Sequence, residues 1–317
     1  MIVVHKNTDI TSYVSSMSWG GSRSEVARKL ELKIVNAPLD TNITPLTIKL
    51  ADPVYLFEDD GTTELFRGFI VEREASSTQG VVTYVAYDLL FYTLKSKATY
   101  NFSKKTAETI TKMVCDDMKI PTGSLASTGI SQKLIVQGKS IYEIIMQAYT
   151  QAHQQNGKQY KVTAKKGLLN VDEIGSVICK NEITDDSNII SSQYKETITN
   201  MVNKVRIYDS EGKQTGVVQN DSDVKNYGVF QQTYTKEKGK DATTTAKSMF
   251  KGVEKTFTLT CVNNNEAVTG AGAVIRDSIT GLKGLVWIDA DTHSWSNGVA
   301  TMSLTVTLKK MMDTKEG

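Results

Sequence analysis

Residues 300–308 read Ala300-Thr301-Met302-Ser303-Leu304-Thr305-Val306-Thr307-Leu308. Met302, Leu304, Val306 and Leu308 fall on one side, and Thr301, Ser303, Thr305 and Thr307 on the other. A period of two marks a strand with one face in a core and the other in water. Two features precede it: the apolar run Gly284-Leu285-Val286-Trp287-Ile288 and the polar loop Ser294-Trp295-Ser296-Asn297-Gly298. The same order occurs near the N-terminus. There Phe66-Arg67-Gly68-Phe69-Ile70 leads through the polar Ser76-Ser77-Thr78-Gln79-Gly80 into the strand Val81-Val82-Thr83-Tyr84-Val85-Ala86-Tyr87. Two further strands stand before each set. The order matches although the spacings do not, so a duplicated barrel is expected. Unrelated strand connectivity in the two regions would refute it.

The other elements fill in around these two regions. Leu30, Leu32 and Ile34 alternate with Glu31, Lys33 and Val35, and Asn36-Ala37-Pro38-Leu39-Asp40 supplies a turn. Asp59-Asp60-Gly61 separates strands at residues 54–57 and 65–71 as a hairpin turn. The middle of the chain changes period. From Ser103 as N-cap, Ala107, Ile110, Met113, Val114 and Met118 recur at helical spacing, closed off by Pro121 and Gly123. Ser140-Ile141-Tyr142-Glu143 is a capping box opening a second helix, with Ile141, Ile144, Ile145, Ala148 and Ala152 as its stripe and Asn156-Gly157 as its stop. A hairpin follows, residues 160–163 and 168–171 around Lys165-Lys166-Gly167. Strands resume at 204–208 and 216–219, a single helix is expected over 241–251, and strands follow at 257–261, 273–275 and 285–288. The fold class is therefore mainly β with an α+β segment. The expected domains are 1–93, a first antiparallel β-barrel; 94–182, two helices and a hairpin; and 183–317, a second β-barrel with one inserted helix.

Composition agrees with this and excludes several classes. Thr, Val and Ile make up 88 of the 317 residues, and side chains branched at Cβ suit a pleated surface. Lys plus Arg number 37 against 35 Asp plus Glu, a net charge of +2, which argues against a nucleic-acid binder that works by neutralising phosphates. No apolar run approaches the roughly 20 residues of a spanning helix, so no membrane insertion is expected. The opening Met1-Ile2-Val3-Val4-His5-Lys6 lacks the long apolar stretch of a secretory leader. Cys115, Cys179 and Cys261 are an odd number without metal-like spacing and read as small buried hydrophobes in a reducing compartment.

Sites of chemistry are sparse. There is no phosphate-binding Gly-x-x-x-x-Gly-Lys, no His-Glu-x-x-His and no Gly-x-Ser-x-Gly. Of the three histidines, His5 is near the terminus and His153 closes the second helix, where an imidazolium suits the helix dipole. The sharpest candidate is Asp289-Ala290-Asp291-Thr292-His293, two carboxylates and an imidazole that a strand would point to one side. Such a set can bind a divalent cation or act as an acid–base pair. The competing reading is a polar strand end, favoured because no second ligand cluster accompanies it. Asp59-Asp60 and Asp185-Asp186 read as solvated turns. No catalytic, cofactor-binding or metal-binding residue, and no cofactor, is expected.

Several segments together resemble a known family. Asp9-Ile10-Thr11, Ser18-Trp19-Gly20-Gly21 and Ala27-Arg28-Lys29-Leu30-Glu31-Leu32 resemble the opening of phage tail hub proteins. Leu65-Phe66-Arg67-Gly68-Phe69-Ile70 is similar to their first-barrel strand. Residues 87–96 and Tyr100-Asn101-Phe102 are similar to the entry into their helical segment. Residues 284–295 and Met302-Ser303-Leu304 are similar to their closing hairpin. The resemblance is to baseplate hubs of contractile tails, the late control protein D-like branch found in Gram-positive prophages and phage-tail-like bacteriocins. It implies two tail-tube-like β-barrels per chain and a homotrimer whose six barrels form a pseudo-sixfold ring between the hexameric tail tube and the trimeric central spike. The implied partners are the tail tube protein, the spike, the tape-measure protein and other baseplate proteins, with no sequence-specific nucleic acid. The implied location is a virion or tail-like particle assembled in the bacterial cytoplasm. The alternative is a tail-associated cell-wall hydrolase, which needs a polar cleft, and the best the sequence offers for one is Asp289, Asp291 and His293, supported by Asp185 or Asp186.

Overall fold

A computed structural model describes residues 1–36, 42, 44, 46–76, 80–237 and 241–315. The expected turns at 36–40 and 76–80 fall largely outside the described residues. The first β region comprises β1 (Val14–Ser22), β2 (Lys29–Val35), β3 (Pro53–Phe57), β4 (Glu64–Ala75) and β5 (Val81–Tyr87). Alternation does what it promised: β2 buries Leu30, Leu32 and Ile34, and β5 buries Val82, Tyr84 and Ala86 into one core with Leu56, Phe66 and Ile70.

The central segment follows as α1 (Leu90–Lys95), β6 (Lys97–Lys105), α2 (Ala107–Asp117), β7 (Gln132–Ser140), α3 (Ile141–Asn156), β8 (Tyr160–Lys165) and β9 (Leu168–Glu173). The capping box is formed at Ser140 and Glu143, and Gly157 ends α3 in the left-handed region. The helix expected from Ser103 is α2, and it starts later. Thr106 is its N-cap, because residues 97–105 are held as β6 in an antiparallel ladder with β7. Ile110, Val114, Leu134, Val136, Ile144, Ile145 and Tyr149 share the core of this segment.

The last region comprises β10 (Ile189–Thr197), then β11 (Lys204–Tyr208), β12 (Gln214–Gln219), α4 (Asp221–Tyr227), β13 (Gln231–Thr235) and α5 (Ala242–Ser248), and then β14 (Glu254–Val262), β15 (Gly272–Asp277), β16 (Leu282–Ser296) and β17 (Val299–Thr307). The chain forms two compact units, residues 1–192 with 258–317, and residues 193–257. The second unit contains its own three-stranded sheet in the order β12-β11-β13, over a core of Val202, Val205, Ile207, Val218, Tyr234 and Ala246. It holds two helices where the sequence suggested one. The additional helix, α4, is a seven-residue turn capped by Asn220 that buries no side chain, so it leaves no apolar period to read.

Among the described residues the main sheet has 13 strands, and it carries the duplication. Across it the first region runs β1-β2-β5-β4-β3, and the last runs β10-β14-β17-β16-β15. Numbering each set of five in chain order gives one pattern for both: first, second, fifth, fourth, third. The agreement extends to single residues. A bulge follows Ile70 in the β4–β5 ladder, and a bulge follows Ile288 in the β16–β17 ladder. Ile70 donates its N–H to the Asp52 carbonyl (3.0 Å) and accepts from Ala51 (2.7 Å). Ile288 likewise donates to Ala271 (3.0 Å) and accepts from Gly270 (2.8 Å). Ala51 and Gly270 both have positive φ, 66° and 86°.

This equivalence makes opposite predictions at matched positions. Gly270 occupies its strained conformation without cost, whereas Ala51 carries a Cβ there. Ala51→Gly is expected to stabilise the protein by up to about 1 kcal/mol, and Gly270→Ala to destabilise it by about 1 kcal/mol or more. In the second case the new Cβ would also lie 2.9 Å from Lys161 Cδ. Calorimetric melting of the two variants checks both signs.

Candidate functional site

The sequence candidate falls where the two repeats join. Residues 282–287 of β16 pair with β15, and residues 290–296 of the same strand pair with residues 16–22 of β1. Asp291 lies opposite Gly21, Thr292 opposite Gly20 and His293 opposite Trp19. Gly20 permits this approach, since a Cβ there would collide with the Asp291 carbonyl oxygen.

Asp291 and His293 come together, but inside the protein, at 1% and 0% exposure. The Arg28 guanidinium meets both oxygens of the Asp291 carboxylate, with Nη1 3.0 Å from Oδ1. Thr269 adds two donors to Oδ1, its backbone N–H and its hydroxyl, each at 2.6 Å. Burial alone would raise the Asp291 pKa, yet the charge and hydrogen bonds of Arg28, with His293, hold it well below the usual carboxylate range. The His293 ring has Nδ1 2.7 Å from Asn263 Oδ1 and Nε2 3.3 Å from Asp291 Oδ2, the latter without hydrogen-bond geometry. Trp19 completes the cluster: its ring centroid is 4.9 Å from that of His293, and Arg28 Cζ stands 4.1 Å over the indole. Such a cation–π contact contributes about 0.5–2 kcal/mol.

Asp289 does not join them. It is the bulged residue between Ile288 and Ala290, which breaks the strand alternation, and it pairs with Arg23 Nε at 2.6 Å. Asp185 accepts from the Ser278 N–H at 2.8 Å and Asp186 from the Thr184 hydroxyl, both at surface turns. Among the described residues, no group of three or more His, Cys, Asp or Glu is arranged to hold a metal. All three cysteines are free and buried, and burial pushes their thiols up to about 12, 11 and 12 for Cys115, Cys179 and Cys261.

Three residues of this neighbourhood were not legible as a set: Arg28, Asp88 and Lys161. Arg28 stands just before β2 (Lys29–Val35), outside its alternation, and nothing in the local sequence links it to the other two. Asp88 accepts the Arg28 N–H (3.1 Å) and the Leu90 N–H (2.9 Å), and burial nevertheless pushes its carboxyl up to about 7. Lys161 donates to the Thr269 carbonyl; burial, and then Arg28, bring its ammonium down to about 8.

A buried ion pair broken on one side leaves an uncompensated charge, worth about 3–5 kcal/mol. Arg28→Met and Asp291→Asn are each expected to destabilise by that order, and the double variant by less than their sum, as read from urea midpoints. Asp88 gives a pH signature. Its folded pKa lies above its unfolded value, so its contribution is present in acid and lost as pH rises through about 7. The stability advantage of wild type over Asp88→Asn should therefore shrink between about pH 4 and pH 7.

Known proteins share this fold. The chain is 28% identical over 326 residues to the phage-like element PBSX protein XkdQ of Bacillus subtilis (strain 168), covering 98% of each. The 43 kDa tail protein of prophage MuSo2 from Shewanella oneidensis superposes with a TM-score of 0.73 at 13% identity, over 96% of this chain and 97% of that one. The E. coli c3393 protein has a TM-score of 0.54 at 8% identity, over 96% of this chain and 76% of that one. It is described as a type VI secretion system component similar in structure to the T4 tail proteins gp27 and gp5. A family model described as YQBQ-like matches residues 17–307. With most of its length covered by that model, the chain belongs to the YQBQ-like family.

Proposed function

We infer that the protein is a structural subunit of a phage-type tail baseplate: the hub, three copies of which close a pseudo-sixfold ring between the hexameric tail tube and the trimeric spike. The observation that carries this reading is the repeated strand order, with its matched bulges. A chain with two equivalent repeats presents two equivalent docking units, so three chains offer six to a sixfold tube while keeping threefold symmetry towards a spike. The name of the MuSo2 tail protein supports the tail assignment, that of XkdQ supports a phage-like element, and the similarity of c3393 to the T4 tail proteins gp27 and gp5 supports a tail-type fold. The same reading takes residues 1–93 and 183–317 as the two barrels and 94–182 as the segment between them.

The subunit works without catalysis, cofactor or metal. Asp291 and His293, the best acid–base candidates, are committed to Arg28, Thr269 and Asn263 and are closed to solvent. Its partners are the tube, spike, tape-measure and other baseplate proteins, within a virion or tail-like particle assembled in the bacterial cytoplasm. It inserts in no membrane and reads no nucleic-acid sequence.

The test is assembly. Mixed with the neighbouring tube and spike proteins, the 34.9 kDa chain is expected to enter complexes in threes, as counted by native mass spectrometry. A chain that stays monomeric in that mixture refutes the hub. Release of peptidoglycan fragments by the wild-type protein would refute the non-catalytic reading.

A further inference from the structure

Each repeat has one long strand with room for two partners on the same edge, but among the described residues only β16 has both. In β16, residues 282–287 take β15 and residues 290–296 take β1. In β4, residues 64–69 take β3 on the matching edge. Past the bulge, residues 72–75 pair with β5 alone among the described residues, and all four are exposed. The complementary strand also lacks a neighbour. β1 lies between β16 and β2, whereas its counterpart β10 has β14 on one side and, among the described residues, ends the sheet on the other. β10 exposes apolar side chains there, Ile190 at 59% and Tyr194 at 37%.

We propose that residues 72–75 of β4 pair antiparallel with β10 of a second copy of this chain, so that the seam between chains repeats the β16–β1 seam within one. This rests on the ring reading above and names the strands that close it. An open edge is a row of unsatisfied N–H and C=O groups, and the second repeat satisfies the corresponding row with a strand of the next repeat. Pairing β4 to β10 applies the same step once more, head to tail, which generates a closed ring when the rotation closes. The occupant is a second copy because the matching edge already holds the matching strand, β1, of this sequence.

The two seams differ in chemistry. Counting from the matched bulges, Arg73 stands where Asp291 stands, and Ala75 where His293 stands. The seam between chains therefore has no counterpart of the buried Asp291–His293 cluster. Glu72, Arg73 and Glu74 instead place exposed charges along the edge, which discourages pairing with an arbitrary strand. β10 brings Lys195 and Glu196 to meet them. The seam within the chain is permanent, while the seam between chains is built to form on assembly.

Cysteine pairing tests this in the full chain, since the three native cysteines are buried. Single variants at Arg73→Cys, Glu74→Cys and Ala75→Cys are mixed in turn with Ser192→Cys, Gln193→Cys and Tyr194→Cys and oxidised, while the mass of the unoxidised chain is measured in parallel. The expected result is a disulfide-linked dimer from at least one mixed pair, lost when either cysteine is restored to the native residue. Rings that form without any such disulfide overturn the seam and leave the ring standing. A chain that neither assembles nor cross-links overturns both.

Discussion

A sheet edge cannot end in water-poor surroundings without a partner, and the upper half of β16 is the place where this constraint shapes the molecule. Its residues 290–296 pair with residues 16–22 of β1, joining segments of chain that are about as far apart in sequence as the protein allows. The ladder alone would tolerate slippage, because a shift by one residue still satisfies backbone groups. The side chains forbid it. Asp291 must meet Arg28 and Thr269, and Gly20 must lie against the Asp291 carbonyl, so only one register leaves no buried charge unpaired.

The same cluster ties in the central segment. Arg28 bonds Asp88 through its backbone at the start of α1, and Lys161, on the β8 hairpin, reaches the carbonyl of Thr269, whose hydroxyl and N–H hold Asp291. Four stretches distant in sequence, at residues 28, 88, 161 and 269–291, thus share one network of partly compensated charges. Such networks rigidify when every member is satisfied and fail together when one is removed. Residues that resemble a catalytic or metal-binding set act here as a joint between two repeats. Their burial is what separates the two roles, because an acid–base pair needs access to a substrate and a joint needs the exclusion of water.

Much of the architecture was legible from local pattern. The alternation of 300–308, the capping box at Ser140 and Glu143, and the hairpin at Lys165-Lys166-Gly167 all express backbone geometry that neighbouring residues dictate. Even the matching of residues 66–70 with 284–288 held to the residue, with Ile70 and Ile288 making the same hydrogen bonds. The misreadings were also physical. The expected helix start at Ser103 gave way to Thr106 because a partner strand captured residues 97–105, and a period of helical contacts cannot reveal a partner 30 residues away. Asp289, Asp291 and His293 did not share a face because one bulged residue reverses the alternation that the prediction assumed.

By itself, then, the amino-acid order determined the strongly alternating strands, the two principal helices, the absence of the usual catalytic motifs and the presence of two similar halves, since each depends on periodicity or on residues close in the chain. The strands at 14–22, 97–105, 132–140, 189–197 and 231–235 were not legible. Only the tertiary structure decided that the halves share one sheet, that Arg28 rather than a metal answers Asp291, and which edge is filled and which is left open. Pairing between strands 270 residues apart is chosen by the total burial and charge balance of both partners, a quantity that no local stretch of sequence contains.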